Sequence, residues 1–176
     1  MAAELTIYYL EMNDPAEYRR TTRSAPRFDL RQVTPPLPEY NRFLYACVGH
    51  DWLWTDKLDW SYEQWSAYAG RPELETWVAY VEGTPAGYFE LERRAGDTIE
   101  IVYFGLTPPF VGKGMGGALL GCAIERAWAM GAALVSVNTC THDHPSALAN
   151  YLGRGFHLSR QETVQKQRPP MPREPW

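Results

Sequence analysis

The chain has little of what would tie it to a particular compartment or polymer. It carries three cysteines, Cys47, Cys122 and Cys140, an odd number with no CxxC among them. That pattern gives no basis for a disulfide framework, and reduced thiols in a cytoplasmic protein are the expectation. Basic residues are outnumbered, 17 Lys and Arg against 21 Asp and Glu, for a formal net charge of −4. No overall positive field is available to hold a phosphate backbone, so no nucleic-acid partner is expected. The most apolar window, residues 118–137, is interrupted by Glu125 and Arg126, which argues against a membrane span. The opening residues lack a basic leader and a long apolar core, so no signal peptide is expected. Internal repeats are also missing.

What is present suits one ordinary globular domain. The 176 residues are 45% hydrophobic and 22% charged, enough to build a proper core. A domain over residues 1–164 is expected, followed by a loose tail at 165–176 that contains Pro169, Pro170, Pro172 and Pro175. Residues 5–12 read as a strand and 14–38 as irregular. Residues 39–48 read as a helix, with Tyr40, Phe43, Leu44 and Cys47 on one face. A second short helix spans 61–68, with Ser61 as its cap and Gly70 as its stop. Residues 75–106 then alternate in period two, with turns at 82–85 and 95–97, which is an antiparallel meander. A mostly buried helix follows over 112–130, then a strand at 133–140, a helix at 145–152 and a strand at 156–164.

Between the meander and the long helix, Gly105, Gly112, Gly114, Gly116 and Gly117 expose bare backbone. A helix N-terminus carries unpaired N–H groups and partial positive charge, and glycine lets an anion approach them. The physical reading is a phosphate or pyrophosphate cradle. A nucleotide P-loop does not fit, because Lys113 is followed by Gly114 and Thr107 stands where the first glycine belongs. Gly112, Gly114 and Gly117 do spell GxGxxG. However, the intervening segment 107–111 spoils the tight turn of a dinucleotide fold, and too little chain remains for a doubly wound sheet.

The order of elements resembles the GNAT superfamily of acyl-CoA-dependent N-acyltransferases. Its glycine signature begins with Gln or Arg and places glycines three and five residues later. Here Val111 leads to Gly114 and Gly116, so the polar first residue is replaced. A second block resembles the family's Asn-x-x-Ala-x-x-x-Tyr-x-x-x-Gly-Phe. Here His144, Ala147, Tyr151, Gly155 and Phe156 keep that spacing, with His144 in place of Asn. The resemblance covers residues 75–164. It implies an α/β fold with a mixed, mostly antiparallel sheet of six or seven strands and helices on both faces. Residues 74–164 would form the acyl-CoA-binding core, and 1–73 the acceptor side.

It also implies acetyl-CoA, or another short acyl-CoA, as co-substrate, with no metal. The loop Val111, Gly112, Lys113, Gly114, Met115, Gly116 and Gly117 would hold the pyrophosphate. Phe104, Gly105 and Leu106 would pair with the pantetheine arm, and His144 would contact it or cap the next helix. N-acylation needs a neutral amine, and an ordinary alkylamine is protonated at pH 7. Glu100 matches the strand glutamate that serves as base in histone acetyltransferases of this superfamily. Glu90 is its substitute, and His142 or His144 stays open as a base. Tyr151 matches the tyrosine that acts as general acid at the sulfur. Direct transfer would leave Cys140 dispensable. The run Cys140-Thr141-His142-Asp143-His144 has zinc-ligand residue types, but they lie too close together for an ordinary closed site. Trp52 and Trp54, with Trp60 and Trp65, either wall an acceptor pocket or pack against the sheet, and Trp52, Trp54 and Glu90 are the candidate acceptor-binding residues. The expected acceptor is a small-molecule or peptide amine, and a homodimer is possible in families of this type. A non-catalytic acyl-CoA-binding module is the alternative.

Overall fold

The computed structural model describes residues 2–167. Seven strands form one sheet: β1 (Ala2–Met12), β2 (Asp29–Gln32), β3 (Leu74–Val81), β4 (Thr84–Arg93), β5 (Thr98–Leu106), β6 (Leu134–Cys140) and β7 (His157–Gln167). Their spatial order is β2-β3-β4-β5-β6-β1-β7. Every neighbouring pair is antiparallel except β5 and β6, which run parallel. Four helices cover the sheet: α1 (Pro38–Gly49), α2 (Tyr62–Ala69), α3 (Met115–Ala129) and α4 (Ala147–Gly153).

The two faces have separate cores because strand side chains alternate. On one face Phe89, Leu91, Ile99 and Ile101 pack against Leu119, Leu120 and Ile124 of α3. On the other, Val78 and Tyr88 pack against Leu44 and Val48 of α1. Helix α2 begins with a capping box: Gln64 N–H donates to the Ser61 hydroxyl, and Ser61 N–H donates to the Gln64 side chain. Among the described residues no helix is long and apolar enough to cross a membrane.

Three expectations are corrected. The stretch read as irregular contains β2, whose four residues pair with β3 from Asp29 opposite Tyr80 to Gln32 opposite Trp77. Only Leu30 is apolar in that edge strand, too little for a pattern. The long helix starts at Met115 rather than residue 112, because Gly112 and Gly114 adopt left-handed φ of 81° and 82° and form a turn before it. Residues 165–167 belong to β7 rather than to a tail, and the proline-rich remainder lies outside the described residues.

Residues 13–28 form a strap over the α3 and α4 face. Arg19 N–H donates to the Arg154 carbonyl at 2.9 Å, and Arg20 pairs with Glu125 at 2.8 Å. The strap passes so near Gly155 (φ 106°) that a Cβ there would collide with the Glu17 carbonyl. Gly155→Ala therefore meets both backbone strain and a clash with rigid main chain. It should lower unfolding free energy by about 2–4 kcal/mol. Gly83→Ala has positive φ but open space around it, and should cost only about 1 kcal/mol. Chemical denaturation of both variants checks the difference, and equal losses would show that the strap gives way.

Candidate active site

Strands β5 and β6 pair only from Thr98 opposite Leu134 to Ile101 opposite Val137. Beyond that point β5 continues to Leu106 and β6 to Cys140 without pairing to each other, so the sheet opens. A bulge opposite Glu90 and Leu91 accommodates Val102 as an extra residue, which turns Tyr103 towards Glu90. The opening is a cleft of about 920 Å³. Phe104, Gly105 and Leu106 line one side, and Asn138 and Cys140 the other. Gly105 is required by close approach rather than by the bulge, since a Cβ there would collide with Val48 of α1.

One end of the cleft reaches the start of α3. Gly112, Gly114, Gly116 and Gly117 line it, and no side chain caps the helix. Its first-turn N–H groups are therefore available to an anion. Two further segments close round this end. A Cβ on Gly114 would lie 2.6 Å from the Ser24 carbonyl, and one on Gly117 would lie 2.8 Å from Arg154 Nη1 and 3.1 Å from Thr21. Arg154 Nε is buried and has no hydrogen-bond partner among the described residues. Arg23 of the strap also lines the cleft.

A family model, the acetyltransferase (GNAT) family, matches residues 37–156. The chain belongs to that family. Similar solved structures agree on the fold. The GCN5-related N-acetyltransferase from Sphaerobacter thermophilus superposes with a TM-score of 0.67 at 16% identity, covering 93% of this chain and 53% of that one. The one from Kribbella flavida gives 0.63 at 17% identity, covering 91% and 58%. The Bacillus subtilis acetyltransferase in complex with CoA gives 0.54 at 23% identity, covering 74% and 77%. The chain thus spans little more than half the length of the first two. No curated protein matches by sequence.

In this GNAT chain the sequence-predicted residues divide into three groups. Glu100, Phe104, Gly105, Leu106, Val111, Gly112, Gly114, Gly116, Gly117, His144, Tyr151, Trp52 and Trp54 all line the cleft. Lys113 and Met115 do not contribute side chains to it: Lys113 is exposed with its ammonium over the Phe110 ring, and Met115 is fully buried in the core. Glu90 lies outside the wall, 1% exposed, beneath α1 and α2.

The two candidate carboxylates occupy different environments. Glu100 accepts from Arg94 Nε at 2.6 Å, Arg94 also reaches Glu92 at 2.9 Å, and Glu92 pairs with Arg71 at 2.6 Å. The guanidinium of Arg94 must move aside before that oxygen of Glu100 accepts a proton. Glu90 accepts from the Tyr68 hydroxyl and from Asn41 Nδ2 at 2.8 Å. Burial raises its pKa from the usual 4.5 to about 7, against the opposing pull of Tyr68, Asn41 and Lys57.

Tyr151 of GNAT helix α4 is buried between Phe104 and Phe156, with ring centroids 6.1 and 6.0 Å away. Burial, and secondarily the Asp143 charge, raise its pKa, so it stays protonated at neutral pH. His144 Nδ1 accepts from Ser146 N–H at 3.0 Å, and its ring meets Trp52 at 5.0 Å. Asp143 accepts from the Thr139 hydroxyl at 2.7 Å and from Cys140 N–H at 3.0 Å. The zinc-like run is therefore a turn tied by its own aspartate. Sequence reasoning missed Arg154, Arg23 and Tyr103. Arg154 sat in plain view within the tyrosine-glycine-phenylalanine block, whereas Arg23 lies ninety residues from the glycines and had no local signal.

The pH dependence of stability follows from Glu90. Its folded pKa exceeds its unfolded value, so between about 4.5 and 7 the native state holds the proton that the unfolded state has lost. Stability contributed by this group is full below pH 4.5 and falls as pH rises through 7. Glu90→Gln should remove that decline, which is on the order of 3 kcal/mol at full extent. Urea unfolding at pH 5 and pH 8 measures it, and identical slopes for both proteins would contradict the assignment.

Proposed function

We propose that the chain transfers an acetyl or other short acyl group from acetyl-CoA to a primary amine by direct attack on the thioester. The observation that carries this reading is the continuous cleft from the β5/β6 opening to the glycine-lined start of α3. Residues 102–106 present an unpaired strand edge, which suits the amides of a pantetheine arm. The α3 N-terminus suits a pyrophosphate. Val111 brings no polar group to the first position of the glycine signature, and Arg154 supplies positive charge beside the same loop.

In the reaction, the amine nitrogen attacks the thioester carbon, the carbon–sulfur bond breaks, and coenzyme A leaves as its thiolate, which takes a proton from solvent. The amine proton passes to a carboxylate, Glu100 directly or through water, with Glu90 as substitute. The Tyr151 hydroxyl donates a hydrogen bond to the departing sulfur. Full proton transfer from a tyrosine with a raised pKa to a thiolate of pKa about 8.5 is uphill, so hydrogen bonding is its main contribution.

Acetyl-CoA at a hundred times its dissociation constant should stabilise the fold by about 2.7 kcal/mol, a rise in Tm of roughly 5–10 °C. Amine-dependent release of free thiol then decides for an enzyme. Stabilisation without such release would assign a binding module instead, and no stabilisation would leave the glycines as packing. Arg154→Ala should weaken acetyl-CoA binding about tenfold with kcat nearly unchanged, as loss of a charge-assisted phosphate contact requires. Tyr151→Phe should lower kcat by roughly 10–100-fold with little change in acetyl-CoA affinity.

A further inference from the structure

The loop joining α1 to α2 places Lys57 in an aromatic cage. Its Nζ lies 4.6 Å from the ring centroid of Trp60, 5.3 Å from that of Tyr68 and 5.3 Å from that of Tyr103. The three rings come from the loop, from α2 and from β5, so the tertiary fold assembles the cage. Edge contacts fix the rings: Trp60 and Trp65 are 5.3 Å apart, and Tyr45 and Tyr103 also 5.3 Å. No carboxylate among the described residues comes within ion-pair distance of Nζ. The cation rests on ring faces, the geometry by which proteins recognise alkylammonium groups.

Glu90 sits beneath this cage. Tyr68 donates its hydroxyl to the Glu90 carboxylate, which links the negative charge to a cage wall. Glu90 also favours a cation at the Lys57 position, while desolvation lowers the lysine's own pKa. A lysine gives up rotamer freedom and part of its hydration to lie in such a place. Tyr103 belongs both to the cage and to the wall of the cleft, and Thr55 and Asp56 beside Lys57 line the cleft as well. The cage therefore adjoins the opening where a thioester would lie.

We propose that the Trp60, Tyr68 and Tyr103 cage over Glu90 is the recognition site for the acceptor's ammonium group, and that Lys57 is its resident occupant, displaced when acceptor binds. This rests on the acyl-transfer reading and names its substrate class as a cationic alkylamine. A tethered lysine competes at an effective concentration in the millimolar range. Its removal should therefore tighten binding of a small free amine.

The test titrates the full chain with n-butylamine, with n-butanol as the uncharged comparison, and follows tryptophan fluorescence. Lys57→Ala should bind n-butylamine about tenfold more tightly than the parent, n-butanol should bind neither, and Lys57→Ala with Trp60→Leu should lose the gain. Lys57→Gln replaces Lys57→Ala if the alanine variant unfolds. Equal n-butylamine affinity with and without Lys57, or equal response to n-butanol, would overturn the proposal. The Tm shift with acetyl-CoA in the same proteins separates the two readings. A retained shift with failed amine binding sinks the cage alone. No acetyl-CoA shift in any of the proteins, with cage binding intact, overturns the acyl-transfer reading and with it the acceptor role, leaving the cage as an alkylammonium site only.

Discussion

The parting of β5 from β6 after four paired residues is the constraint on which the rest of this molecule depends. A strand edge in the middle of a sheet is normally satisfied by its neighbour, and here residues 102–106 give that up on one side. Several local features hold the strands apart. The bulge at Val102 alters the direction of β5, Gly105 admits Val48 of α1, and Pro108 and Pro109 end the ladder. The antiparallel partner β4 stays paired as far as Leu106, so β5 remains rigid while its other edge is open. The result is a rigid-walled opening rather than a frayed strand, aimed at the first turn of α3.

The same bulge also sets the electrostatics. It puts Tyr103 opposite Glu90, and it keeps Glu100 opposite Glu92. On that face three carboxylates lie close together, and the fold treats them differently. Glu92 and Glu100 are joined by arginines into a chain from Arg71 to Arg94. Glu90 has hydrogen bonds but, among the described residues, no arginine within bonding distance, and burial dominates its titration. Glu92 and Glu100 thus face guanidinium groups, whereas burial moves the titration of Glu90 up to about 7. Access favours Glu100 as the group that meets substrate, and affinity for a proton favours Glu90. The opposition explains why spacing along β4 and β5 does not choose between them.

Much of the architecture was legible because the strands and helices have strong periods. The meander, the caps at Ser61 and Gly70, and the buried faces of α3 all follow from local pattern and occur as read. The glycines do line one end of the cleft, ahead of the helix they were read to precede. What was not legible is what depends on chain segments distant in sequence. β2 is specified by β3 rather than by its own residues. Arg23 reaches the cleft only because the strap crosses α3. The tryptophans read as one cluster divide in space: Trp52 and Trp54 face the cleft, whereas Trp60 belongs to the cage around Lys57 and Trp65 packs against the edge of Trp60.

The replacement of the signature's first polar residue by Val111 has a physical counterpart in Arg154. A buried N–H without an acceptor typically costs about 1–3 kcal/mol, and folded chains keep few of them. Arg154 Nε is one, in a segment held firmly: its own backbone carbonyl receives Arg19, and Gly155 beside it tolerates no side chain. The strap thus fixes a guanidinium with one buried, unpaired N–H next to Gly117, where packing alone would favour an apolar residue. An anion at the α3 N-terminus would lie beside Arg154 Nη1 and the uncapped amides together. One ligand would meet a positive charge and open donors carried by two separate segments, and that convergence favours a phosphate at this end of the cleft more than the glycine pattern by itself.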